Sequence, residues 1–194
     1  MRRLSSGFVL GYHGCDSDVA ERLLAGESFQ FSRNAYDWLG EGIYFWEGNP
    51  KRGLEFASEN AARKTTHVIK PCVIGAVLDV GLCMDLTTKQ SLDLLAVAYE
   101  TLVEQIKLTK DSLPQNYSDG LRRPLDCAVV TIAHELLSFE NVSVDSVRGV
   151  FVEGAALYVG AGFQAKTHIQ IAIRNPDCIK GVFRVPLHDL AELY

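Results

Sequence analysis

The chain has little sulfur and no motif in which to use it. Its five cysteines, Cys15, Cys72, Cys83, Cys127 and Cys178, are odd in number, widely spaced and never form a CxxC pair. That argues against a disulfide framework and a short-spaced zinc site, and reads as reduced thiols in an intracellular protein. No run approaches the ~20 apolar residues that a membrane span needs. The opening stretch MRRLSSGFVLGYHGCD has no proper apolar h-region or cleavage site, so no secretion signal is expected. Basic residues are the minority, 19 Lys and Arg against 24 Asp and Glu, for a net charge of −5. This is the wrong sign for long-range attraction to nucleic acid and gives no support for a membrane surface. Only Lys64–Lys70 and Leu121–Pro124 are modestly basic. A cytoplasmic protein without a membrane partner is expected.

What is present is a hydrophobic fraction of 47% in 194 residues, enough for one packed domain. FVLGYHG (Phe8–Gly14) reads as a strand. Asp16 or Ser17 then caps a short helix through DVAERLLAG, with Gly26 past its end. Residues 27–41 show no period and read as a loop. GIYFW (Gly42–Trp46) reads as a strand, followed by a helix with Pro50 in its first turn. CVIGAVLDVG (Cys72–Gly81) reads as a central strand. Between about 86 and 140 the pattern changes to two amphipathic helices joined by the loop SLPQNYSDGLRRP. Strands return with VRGVFVEG, THIQIAIRNP and DCIKGVFRVP. In the second of these, Ile169, Ile171 and Ile173 share one face, and Gln170 and Ala172 take the other. The expected class is α+β, one domain over 1–194, with a helical insertion at about 86–140.

Two stretches carry chemistry. In GYHGCD, the glycines around His13 let a ligand lie against the chain, and Gly14 offers a peptide N–H and C=O, the pair a carboxamide requires. In YDWLGEGIYFWE, glycines precede Tyr44, whose ring suits a flat heteroaromatic ligand, with Tyr36 as the opposite face. Either stretch alone also reads as ordinary core.

Together, GYHG (Gly11–Gly14) and GEGIYF (Gly40–Phe45) resemble the ADP-ribosyltransferase superfamily, in its histidine–tyrosine branch of poly(ADP-ribose) polymerases and diphtheria-toxin-like enzymes. The resemblance covers about sixty residues. It implies a split β-sandwich, NAD as co-substrate and no metal. His13 would hold the adenosine-side ribose, Gly14 the carboxamide, and Tyr44 the nicotinamide. Phe45 belongs to the same motif and Ser32 to a loop that reaches the adenylate half. Asn34, Arg33 and Arg52 are weaker candidates for that half and the pyrophosphate.

The branch places a glutamate on a late strand. Spacing along THIQIAIRNPDCIKGVF puts Gln170 there, which can accept from a ribose hydroxyl but lends no negative charge. Glu153 is the better reserve carboxylate, because strand alternation puts Glu47 on the face away from Tyr44. Cys15 beside His13 invites a thiol-nucleophile reading, which is set aside. The substitution at 170 argues against polymer synthesis and for mono-ADP-ribosylation of a protein, RNA or DNA. Family habit adds an intracellular bacterial toxin or phage-defence effector, with the insertion as a docking face for a neutralising antitoxin. The alternatives are an NAD- or ADP-ribose-binding module without turnover, an NAD glycohydrolase and an RNA 2′-phosphotransferase. The last would want a basic cluster that the sequence does not show.

Overall fold

A computed structural model describes residues 7–63 and 67–191. The apolar stretch after Phe8 forms β1 (Val9–Asp16), and α1 (Ser17–Leu24) follows at once. Asp16 ends one and caps the other: Oδ1 accepts from Asp18 N–H at 3.0 Å, while Oδ2 accepts from Ile69 and Lys70 N–H at 2.7 and 2.8 Å. Gly26, with φ +100°, turns the chain out of α1. After the loop come β2 (Ile43–Glu47) and α2 (Pro50–Ala62), the latter capped by Asn49, whose side chain accepts from Arg52 N–H at 3.0 Å. Next are β3 (Pro71–Leu78) and β4 (Cys83–Asp85), then α3 (Lys89–Thr109) and α4 (Pro124–Phe139). The chain ends in β5 (Ser146–Phe151), β6 (His168–Ile173), β7 (Ile179–Arg184) and α5 (Leu187–Leu190). The class is α+β, as expected.

The seven strands hydrogen-bond in the order β4-β5-β6-β2-β1-β3-β7. Only β4 and β5 run parallel, and the chain needs a long crossover between them. The helical insertion supplies it. The three-residue β4 has no alternation of its own, which is why the sequence does not announce it.

The seam between β1 and β2 is the weak point of the sheet. It holds by two residue pairs, Gly11 with Glu47 and Tyr12 with Trp46. By contrast, β1 pairs with β3 along its whole length. Beyond Tyr12 the two strands part, and there His13 Nδ1 meets the Tyr44 carbonyl at 2.9 Å. A side-chain bond takes over where the backbone ladder stops.

Two faces result. On one, Ile43, Phe45, Ile171 and Ile173 are at most 1% exposed and pack with Leu78, Val80 and Cys83. Burying side chains of this size contributes about 1.5–3 kcal/mol each. On the other, α3 and α4 bury Leu102, Val130 and Ala133 against Met84, Val147 and Ala172, with Trp38 and Tyr44 at the rim. Helix α2 covers the remainder of that face, and its backbone comes so close that a Cβ on Gly14 would lie 2.1 Å from the Gly53 carbonyl oxygen.

Candidate active site

A cleft of about 400 Å³ opens on the Tyr44 face, between α2, the loop before β2, the β5–β6 pair and the insertion. His13, Gly14, Ser32, Tyr36, Tyr44 and Gln170 all line it. Residues 132 positions apart, Trp38 and Gln170, even share a hydrogen bond across it. Phe45 is a correction to the sequence reading. It is 0% exposed, on the opposite face, and contacts the edges of the His13 and Phe29 rings. Alternation along β2 sends Tyr44 and Trp46 to the cleft and Phe45 to the core.

His13 sits where the seam opens. A carbonyl only accepts, so Nδ1 carries the proton toward Tyr44, and Nε2 is left as a lone-pair acceptor. The ring packs edge-on against Phe29 at 5.4 Å. Burial pushes its pKa below the ordinary 6.5, against a smaller opposite effect of the Tyr44 bond. The neutral imidazole therefore presents Nε2 as an acceptor and not as a donor.

Gly14 lies two residues beyond the last β1–β2 pair. The Leu10 carbonyl accepts from Gly48 N–H at 2.9 Å, so it faces β2. Alternation aims Tyr12 and Gly14 the same way. Because the ladder ends at Tyr12, the Gly14 N–H and C=O point into the open seam with no strand opposite.

Tyr44 is pinned by its phenol. The hydroxyl donates to the Gly40 carbonyl at 2.7 Å and accepts from Leu39 N–H at 3.2 Å. Burial, with Asp37 nearby, raises its pKa well above the ordinary 10. The hydroxyl is thus a fixed strut, and the ring is what the residue presents to the cleft. Tyr36 is 44% exposed at the rim, where its carbonyl accepts from Arg123 N–H at 3.3 Å. Ser32 is anchored by a backbone bridge to Gly42, and its hydroxyl accepts from Asn34 Nδ2 at 2.9 Å. Arg33 turns outward to Glu41.

Gln170 shows the clearest departure in detail. Indole is a donor only, so the amide oxygen must face Trp38 Nε1, at 2.6 Å. The amide NH₂ has no partner among the described residues. Gln170 thus offers the cleft donors, and its oxygen is largely committed. The Trp38 ring is itself seated over Gly149, where a Cβ would come within 2.6 Å of it.

Sequence reasoning named Arg52 and Glu153 separately and missed the cluster they form. Arg52 is 5% exposed although it sits in the first turn of α2. Its Nη2 binds Glu153 Oε2 at 2.8 Å, and its Nη1 lies 3.6 Å from Glu59. Lys166 Nζ binds the same Glu59 at 2.6 Å. His168 is 6% exposed beside them, stacked on Phe151, with Nδ1 donating to the Lys166 carbonyl. In the sequence Arg52 is a weaker candidate for the pyrophosphate, and no local signal marks it as buried against Glu153. Glu47, set aside by alternation, binds Arg148 at 2.6 Å away from the cleft. Trp46, Phe56 and Phe151 add aromatic lining, and Leu121 and Arg122 bring the insertion loop to the rim. Arg122 is held there by Asp119 and by the Tyr117 ring, 4.0 Å away. The patch at 64–70 lies partly outside the described residues.

The five cysteines are all unpaired. Burial pushes Cys15 up to about 12 and Cys83 and Cys178 to about 11, so these thiols are poor nucleophiles. Among the described residues no cluster of His, Cys, Asp and Glu is arranged to hold a metal ion. No helix among them is long and apolar enough to cross a membrane. No protein-family model, curated protein or solved structure matches this chain.

Proposed function

We propose that the protein is an NAD-dependent mono-ADP-ribosyltransferase with the split β-sandwich of that superfamily, the near-division at the β1–β2 seam being the split. One observation carries the reading. The neutral imidazole of His13, the unpaired peptide of Gly14 and the ring of Tyr44 meet at the mouth of that seam. These are an acceptor for a ribose hydroxyl, a donor–acceptor pair for a carboxamide, and a face for a planar ring.

In this reading Gly14 binds the carboxamide and Tyr44 holds the nicotinamide ring. His13 Nε2 accepts from an adenosine-ribose hydroxyl. Gln170, fixed by Trp38, donates to an oxygen of the nicotinamide ribose. The ribose C1′–N bond breaks with its electron pair going to the nicotinamide, and a lone pair of the acceptor forms the new bond to C1′. Positioning supplies most of the rate enhancement, as expected for a loose transition state. An intracellular effector modifying a protein or nucleic acid is the biological role proposed, in keeping with its unpaired cysteines.

The test is incubation with NAD labelled in its adenylate half, with separate pools of extracted protein and RNA. Covalent label in one pool, lost in Tyr44→Ala, is the expected result. A wild type that neither binds nor consumes NAD would overturn the reading. A second reading, a module that binds NAD or ADP-ribose without turnover, is favoured by the Trp38 bond that occupies the Gln170 oxygen. It predicts binding with no label.

A further inference from the structure

We infer that Glu153 is a catalytic carboxylate that takes the proton from the acceptor nucleophile, with Arg52 as its positioning residue. This rests on the transferase reading above.

The strand register places Glu153. In the β5–β6 ladder Gly149 faces Gln170 and Phe151 faces His168. The same register continues past the strand end, where Lys166 N–H donates to the Glu153 carbonyl at 2.9 Å. Glu153 is therefore on the face that carries Gln170, Tyr44 and Trp46, and it lines the same cleft. It is four residues along β5 from the position opposite Gln170, or about 13 Å at ~3.3 Å per residue. At that backbone spacing the two residues address different parts of the cleft. If Gln170 orients the nicotinamide ribose, Glu153 meets what approaches that ribose from outside.

Its state suits a base. The side chain is only 11% exposed. Oε2 is fixed by Arg52, while Oε1 has no partner among the described residues, and the residue lines the cleft. A buried arginine that holds one carboxylate oxygen and leaves the other open fixes the direction of the free lone pairs. Arg52 is in turn steadied by Glu59, which Lys166 holds from the opposite side. A purely structural ion pair would gain from closing both oxygens, and this one leaves one without a partner among the described residues.

The step balances. The acceptor X–H gives its proton to Oε1, its lone pair bonds to C1′, and nicotinamide leaves with the electrons of the C1′–N bond. Glu153 then returns the proton to solvent. The acceptor class this implies is a neutral hydroxyl, amide or ring N–H, which needs a base. A carboxylate side chain, already anionic, does not.

The experiment compares wild type, Glu153→Gln and Glu153→Ala, with NAD affinity, label transfer to extracted protein and RNA, and thermal midpoint measured on each. Gln keeps an acceptor for Arg52. The expected result is a loss of kcat of ~10²–10⁴-fold in both variants, the range for a general base. NAD affinity should stay within about threefold, the midpoint of Glu153→Gln should be near wild type, and added formate should restore transfer in Glu153→Ala. Transfer by Glu153→Gln within a few-fold of wild type, or failure of formate to restore Glu153→Ala while NAD still binds, overturns the inference and leaves the transferase reading standing. Absence of NAD turnover in the wild type overturns both.

Discussion

At the scale of single residues, the site depends on atoms that have only one way to bond. Trp38 can only donate, so it dictates which end of Gln170 faces it. Replacing Gln170 by Leu strands that part-buried indole N–H and is expected to cost about 1–3 kcal/mol, read as a lower urea midpoint at constant slope. Gln170→Glu keeps an acceptor for Trp38 and, in the proposed reaction, adds a negative charge near the sugar as it develops positive charge. It is expected to raise NAD consumption by about tenfold or more, measured as nicotinamide release. Gly14→Ala is expected to destabilise the protein by about 1–3 kcal/mol, because its Cβ would overlap the Gly53 carbonyl and push α2 off the sheet. Chemical denaturation checks it, and NAD binding should weaken in parallel.

At the scale of elements, the cleft is made by segments that reach across the sheet. Helix α2 is tied to the β5–β6 pair by Arg52–Glu153 and Glu59–Lys166. The loop before β2 is tied to the insertion by Arg123, which lies 4.2 Å over Phe151 and 5.4 Å over Trp38. Arg123 also donates to the Gly120 carbonyl at 2.8 Å, so it holds its own loop in shape. Arg123→Ala is expected to cost about 0.5–2 kcal/mol of cation–π energy. The expected phenotype is earlier proteolytic nicking in 110–123 and a raised KM for NAD, with kcat little changed. Much of this scale was legible beforehand. Asp16 as a cap, Gly26 as a stop, Pro50 as a start and the two insertion helices are local signals, and the structure has each of them. The strand β4 was not, because three residues carry no period.

At the scale of the whole molecule, buried histidines set the response to pH. Burial, and secondarily the charge of Arg174, brings His134 from its ordinary 6.5 down to about 4. His13 and His168 are shifted the same way, with burial the largest cause in each. Between about pH 6.5 and 4 the unfolded chain therefore binds more protons than the folded one. Stability from this source is fully present above about 6.5 and is lost as pH falls toward 4. For His134 alone the loss is about 3 kcal/mol, at ~1.4 kcal/mol per unit. Thermal midpoints across that window should fall with acidification, and His134→Leu should flatten the fall, since His134 Nε2 is buried with no partner among the described residues.

The sequence by itself determined the α+β class, the faces of β2 and β6, and the ends of the first helices. Those follow from alternation, glycine placement and caps, all of which act over a few residues. Only the tertiary structure decided that the β1–β2 ladder stops at Tyr12, that Trp38 takes the oxygen of Gln170, and that Arg52 is buried against Glu153. These depend on which distant segments the sheet order brings together, and a hydrogen bond spanning 132 positions leaves no mark in local pattern. Which end of an amide faces a cleft, and whether an arginine is solvated or locked, are set by neighbours that exist only once the chain has folded.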